Sequence, residues 1–119
     1  MKKLKKLHLQ KKKRALKKVV GTTEKPRLAV FRSHKHIYAQ IIDDSTATTI
    51  VASSTLDKTL TSQIEKTATK DASFLVGKKV AEKAREKNVT TIVFDRGGRP
   101  YHGRIESVAK GARDTGLIF

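Results

Sequence analysis

The sequence contains no cysteine, so it can form neither a disulfide nor a thiolate zinc site. That absence suits a reducing compartment. There is no tryptophan, and the aromatics are limited to four Phe and two Tyr, so any core must be built mainly from aliphatic residues. No apolar run approaches the roughly 18 residues that a membrane helix needs. The basic N-terminus has no apolar stretch behind it, so a secretory signal is not expected, and a Lys-rich segment without Ser fits an organelle transit peptide poorly. The phosphate-cradling pattern GxxxxGK[ST] is missing. So are a helix-turn-helix pair, a zinc finger, sustained basic-zipper heptads and the aromatic signature of an RRM.

Acidic residues are the scarce species of the first third, and that scarcity is informative. The chain of 119 residues carries a formal charge of +16. Residues 1–35 hold 14 Lys/Arg and one acid, Glu24, whereas residues 36–119 hold 13 Lys/Arg and 10 acids. A folded body of ordinary balance therefore follows a polyanion-binding arm. A merely solubilising tail would not need such crowding, which costs self-repulsion. Within residues 1–20 the apolar positions Leu4, Leu7, Ala15, Leu16 and Val19 are interrupted between Gln10 and Arg14. The arm thus has little to bury and is expected to be disordered alone, or helical on its partner. The broken stripe also disfavours a membrane-surface role.

Three units are expected: the arm at 1–20, a Gly- and Pro-punctuated linker at 21–27, and a single α/β domain at 28–119. Short strands are expected at 28–32, 36–42 and 49–53, forming an antiparallel meander. The polar stretch 55–70 reads as a loop. From about Asp71 the period becomes 3.6. Ser73, Val76, Gly77, Val80, Ala81 and Ala84 form one small-residue face, with Lys78, Glu82, Arg85 and Glu86 opposite. Asn88 ends that helix. Residues 91–94 read as a buried strand, and a last helix over 104–115 turns Ile105, Val108, Ala109 and Ala112 inward before stopping at Gly116. The order βββαβα predicts a mixed sheet with a right-handed helical crossover into the fourth strand.

Two segments of the body carry recognisable chemistry. Asp95-Arg96-Gly97-Gly98-Arg99-Pro100-Tyr101-His102-Gly103-Arg104 follows a strand and enters a helix. Its glycines allow close backbone approach, its arginines offer forked donors for phosphate, and Tyr101 and His102 can stack on a base or bond a ribose hydroxyl. The alternative is a glycine turn in which Asp95 caps local amides. Arg32-Ser33-His34-Lys35-His36 is a basic hairpin tip able to enter a groove or clamp a backbone, or else an ordinary exposed turn. His34, His36 and His102 are weak metal candidates for lack of further ligands at tight spacing. Asp43, Asp44 and Asp95 raise a two-metal nuclease reading. Against it, adjacent aspartates in a turn favour local hydrogen bonding. Lysine-rich arms bind DNA and RNA alike, so a generic polyanion binder also stays open.

Five blocks decide more than composition does. Lys25-Pro26-Arg27-Leu28-Ala29-Val30-Phe31-Arg32-Ser33 and His36-Ile37-Tyr38-Ala39-Gln40-Ile41-Ile42-Asp43-Asp44 closely resemble the bacterial-type large-subunit ribosomal protein family numbered eighteen. Phe94-Asp95-Arg96-Gly97-Gly98, Tyr101-His102-Gly103-Arg104 and the ending Gly116-Leu117-Ile118-Phe119 do so too, in order, over roughly residues 14–119. The resemblance implies binding to 5S rRNA, attachment of that RNA to 23S rRNA in the central protuberance, and contact with neighbouring large-subunit ribosomal proteins. It implies an RNase-H-like α/β arrangement without nuclease activity, cofactor, membrane association or small-molecule substrate. A ribosome in bacterial cytoplasm or plastid stroma would be the location. The candidate RNA-binding residues are Lys11, Lys12, Lys13, Arg14, Lys17 and Lys18 in the arm, Arg27, and Arg32, Ser33, His34, Lys35 and His36 at the hairpin. Arg96, Gly97, Gly98, Arg99, Tyr101, His102 and Arg104 complete the set. Two departures matter. Arg99-Pro100 stands where the family often has an aromatic, which favours phosphate over stacking there, and a Lys-rich arm leans on point-charge attraction.

Overall fold

The alternation of large and small exposure along the strands builds the molecule from the sheet outward. In a computed structural model that describes residues 19–97 and 101–119, β1 spans Arg27–Arg32, β2 Ile37–Asp43 and β3 Thr48–Ser54. Along β2, Ile37, Ala39, Ile41 and Asp43 are buried while Tyr38, Gln40 and Ile42 between them stay half-buried. The period of two assigns those sets to opposite faces. A four-residue helix α1, Lys58–Thr61, precedes the long helix α2, Lys70–Glu86. Strand β4, Val93–Asp95, and helix α3, Arg104–Asp114, complete the body. The sheet order is β3-β2-β1-β4, with β1 antiparallel to β2 and parallel to β4. The expected meander and mixed sheet are therefore present.

Both long helices lie on one face. Leu28, Val30, Ile37, Ala39 and Ile41 of the sheet join Val76, Val80, Ala84, Ile105, Val108 and Ala112 of the helices in one core. Burying each such aliphatic side chain contributes about 1.5–3 kcal/mol. The small-residue face expected for α2 is the buried one, with Ala72 added. Its smallness has a specific cause. A Cβ on Gly77 would collide with the Val108 carbonyl, and one on Gly111 would collide with the Phe74 carbonyl. The helix backbones thus touch through reciprocal glycines.

Both helices end alike. Val89 and Asn88 donate to the Ala84 and Arg85 carbonyls, and Leu117 and Gly116 donate to those of Ala112 and Arg113. This paired 6→1 and 5→2 pattern requires a left-handed residue, supplied by Asn88 at φ 61° and Gly116 at φ 107°.

Three expectations need adjustment. The stretch 55–70 is not all loop, because Asp57 caps α1 by accepting from the Thr59 amide, and Leu60 is buried as its anchor. Residues 91–92 do not pair with β1. Pairing starts where the Val93 amide donates to the Pro26 carbonyl, and Thr91 instead bridges Ile118 near the chain end. Residues 21–26 are tied to the turn after β2, although 22–25 stay exposed. Gly21 and Pro26 are buried, the Gly21 amide donates to Asp44 Oδ2 at 2.6 Å, and the Thr23 hydroxyl donates to Asp43 Oδ2 at 2.9 Å. Arg27 is already the first residue of β1. Of the arm expected at 1–20, residues 1–18 lie outside the described residues.

Candidate nucleic-acid interface

Parallel pairing of β1 with β4 sets the geometry of the site. It puts the β1–β2 hairpin tip and the residues after Asp95 at the same end of the sheet. The tip is a tight turn: the Ser33 amide donates to the His36 carbonyl at 2.9 Å, and the His36 amide donates to Ser33 Oγ at 3.1 Å. Ser33 therefore spends its hydroxyl on shaping the turn. His34 and Lys35 are exposed at its apex. His36 is half-buried, with Nδ1 bonded to Thr55 Oγ1 at 2.9 Å. The same oxygen accepts from the Ile37 amide at 3.3 Å. With Nδ1 held inward, Nε2 is the nitrogen left for a ligand.

Arg104 joins the two segments. It stands in the first turn of α3, and its Nη2 donates to the Ser33 carbonyl at 3.2 Å across 71 residues of sequence. Its Nη1 is buried and has no hydrogen-bond partner. Burial first, and the neighbouring Arg32 charge second, lower the pKa of this guanidinium. A cation in a first helical turn also opposes the helix dipole. The cap of α3, Gly103, offers no side chain to its open amides. Among the described residues, no carboxylate pairs with Arg32, Lys35, Arg96 or Arg104.

Arg27 behaves differently. Its Nε and Nη2 bond both oxygens of Asp44 at 2.9 and 3.0 Å, and Nη1 bonds Asp95 Oδ2 at 3.0 Å. The bonds to Asp44, above all, raise its pKa. Asp95 spends its other oxygen on the Gly97 amide at 2.8 Å. The local-cap reading of this aspartate is therefore realised. Asp43 accepts from the Ser45 amide and hydroxyl as well as from Thr23, and the Ser45 hydroxyl chiefly lowers its pKa. The three aspartates behind the nuclease reading are thus all engaged as structural acceptors. Among the described residues, no group of three His, Cys, Asp or Glu is placed to hold a metal ion.

Arg96 and Gly97 are exposed, and so is His102. Tyr101 is half-buried and packs edge-on against Phe94 with centroids 5.7 Å apart, so its ring is partly committed to the fold. Lys11, Lys12, Lys13, Arg14, Lys17, Lys18, Gly98 and Arg99 lie outside the described residues. Two positioning residues escaped sequence reasoning. Thr55 sits in a polar stretch with no periodicity, and Asp44 reaches Arg27 across the sheet. The doublet of aspartates in a turn was the only local signal for the second.

The chain resembles known proteins along nearly its whole length. The family model described as ribosomal L18 of archaea, bacteria, mitochondria and chloroplast matches residues 2–119. Large ribosomal subunit protein uL18c of Cyanophora paradoxa is 55% identical over 107 residues, covering 89% of this chain and 88% of that protein. Large ribosomal subunit protein uL18 of Nostoc punctiforme is 57% identical over 102 residues, covering 86% and 85%. The protein of that name from Clostridioides difficile is 52% identical over 111 residues, covering 93% and 91%.

Proposed function

The chain belongs to the ribosomal L18 family, structural and non-enzymatic constituents of the large ribosomal subunit, and we propose that its task there is to bind 5S rRNA. By holding 5S rRNA against 23S rRNA, with neighbouring subunit proteins, it helps attach that RNA in the central protuberance. The ribosome it serves is bacterial or plastid.

One observation carries this reading. Arg104 is pinned to the hairpin tip beside Arg32, with a buried nitrogen that nothing among the described residues satisfies. Holding two guanidiniums together without a carboxylate costs free energy in the isolated protein, and a phosphate oxygen would offset that cost. Arg32, Lys35, Arg96 and Arg104 are the phosphate contacts in this account, with His36 Nε2 and His102 meeting base or ribose edges. Ser33 and Gly97 shape the surface. Arg27 leaves the contact set, because its fork is occupied by Asp44 and Asp95. The arm, with Lys11, Lys12, Lys13, Arg14, Lys17 and Lys18, supplies counterion-release attraction of low specificity, and Gly98 and Arg99 extend the phosphate surface.

The test is competition between a 5S rRNA transcript and a tRNA at about 0.15 M salt, where surface charges are screened beyond about 8 Å. Saturable binding that prefers the 5S transcript is expected. Equal affinity for both RNAs, or length-dependent binding to duplex DNA without saturation, would contradict the proposal.

A further inference from the structure

Two aromatic rings stand on the face of the sheet that no helix covers among the described residues. Phe31 of β1 and Tyr38 of β2 are direct cross-strand partners, and their rings stack with centroids 5.0 Å apart at 14°. Such a pair stabilises a hairpin, but that role does not require an exposed ring. Phe31 is nevertheless 46% exposed, whereas Leu28 and Val30 of the same strand are buried.

Among the described residues, nothing covers the pair on either side. Beyond β1 the neighbouring strand ends at Asp95, and Gly97 follows with no side chain to lay over Phe31. A Cβ on Gly97 would lie 3.9 Å from the Val30 carbonyl oxygen, so this glycine sits beside the Val30–Phe31 backbone. On the other side, Tyr38 borders a shallow depression of about 270 Å³ lined by Gln40, Ala52, Ser54 and Leu56. The charges adjoining the open face are cationic, with Lys35 at the hairpin tip and Arg96 before Gly97, whereas Arg32 is the cross-strand partner of Ile37 and so belongs to the helix face. Among the described residues neither Lys35 nor Arg96 has a carboxylate partner.

An aromatic face edged by cations matches the chemistry of a nucleotide, with a flat base to stack and a phosphate to pair. We infer that the Phe31–Tyr38 pair is a stacking platform for an unpaired RNA base whose flanking phosphate is held by Arg96. The inference rests on the RNA-binding reading above and adds a base-reading element on the sheet face. Bases inside a duplex are already stacked, so the platform selects a bulge, loop or end.

The protein has no native tryptophan, so Phe31→Trp installs a single indole reporter. Its fluorescence is followed while the full chain is titrated with a 5S rRNA transcript, a tRNA and a fully paired RNA duplex. In parallel, the affinity of Phe31→Leu for the 5S transcript is compared with that of the unaltered protein. Strong quenching by the 5S transcript, little by the duplex, and a loss of about tenfold in affinity for the Leu variant are expected, with the Trp variant retaining affinity. An unquenched indole at saturating 5S transcript, or a Leu variant that binds like the unaltered protein, overturns the platform. Should the Leu substitution lower the melting temperature, the quenching result alone decides. Loss of preference for 5S rRNA over tRNA would defeat the 5S reading instead. Quenching by the tRNA's unpaired bases would then still uphold the platform, and its absence with both RNAs would remove it.

Discussion

Arg27 and Arg32 begin and end the same strand, yet their charges are treated in opposite ways. Arg27 is clasped by Asp44 and Asp95, its side chain 21% exposed. Arg32 is exposed, lacks a carboxylate among the described residues, and faces a second guanidinium, that of Arg104. The contrast separates charge paired within the fold from charge that the proposed function leaves for a partner. Paired charge ties residues 21–27, the turn after β2 and the end of β4 into one unit. Unpaired charge, gathered at the other end of β1, is stable only as long as the fold compensates it elsewhere.

That division can be broken most severely from the helical layer, which supports both ends. Gly111→Ala should cost about 3 kcal/mol, because the new methyl meets the Phe74 backbone and the helices must part. Urea denaturation would report it as a lower midpoint, and an unchanged midpoint would deny the close helix contact. Next in size is Arg27→Met, which strands two carboxylates. Breaking a buried pair costs about 3–5 kcal/mol, and the one-fifth exposure here reduces the expectation to about 2 kcal/mol. The same denaturation experiment should show that loss, with RNA preference intact in the protein that remains folded.

Acid sharpens the comparison from another direction. Asp57 bonds Lys83 Nζ at 2.9 Å, and that lysine chiefly pulls its carboxyl down from 3.8 to about 2. A carboxyl lowered on folding contributes stability that is full above its unfolded value and is lost as pH falls through its folded one. The stability from this pair should therefore fade between pH 4 and pH 2. After discounting for a partly exposed lysine, Asp57→Asn should cost about 1 kcal/mol at neutral pH and flatten that part of the acid limb. Thermal melts across the window would show it, and an acid limb of unchanged steepness would argue against the pairing.

How much of this was legible in the sequence follows the range of the interactions. The buried face of α2 was readable because Ser73, Val76, Gly77, Val80, Ala81 and Ala84 repeat at helical spacing, and the stops at Asn88 and Gly116 because left-handed residues are local signals. The segments of the candidate interface were readable as basic, glycine-punctuated runs. What joins them was not. The bond from Arg104 to Ser33 spans 71 residues, and that from Arg27 to Asp95 spans 68. No periodicity encodes such pairs, so Arg27 looked like a phosphate ligand, and the bonds of its fork to Asp44 and Asp95 came to light only in the structure. Thr55 was hidden for the same reason, since its burial follows only from the docking of Ile37 and His36 above it.

The most direct test sets Arg32→Gln/Arg104→Gln beside Arg27→Met. For each protein, the urea midpoint and the ratio of affinities for a 5S rRNA transcript and a tRNA would be measured at about 0.15 M salt. The double variant should keep its midpoint, or gain slightly through relief of like-charge crowding, while losing about tenfold or more in preference for the 5S transcript. The Arg27 variant should lose stability and keep its preference. A double variant that unfolds readily yet still selects 5S rRNA, or an Arg27 variant that stays stable but loses selectivity, would contradict the separation of the two ends.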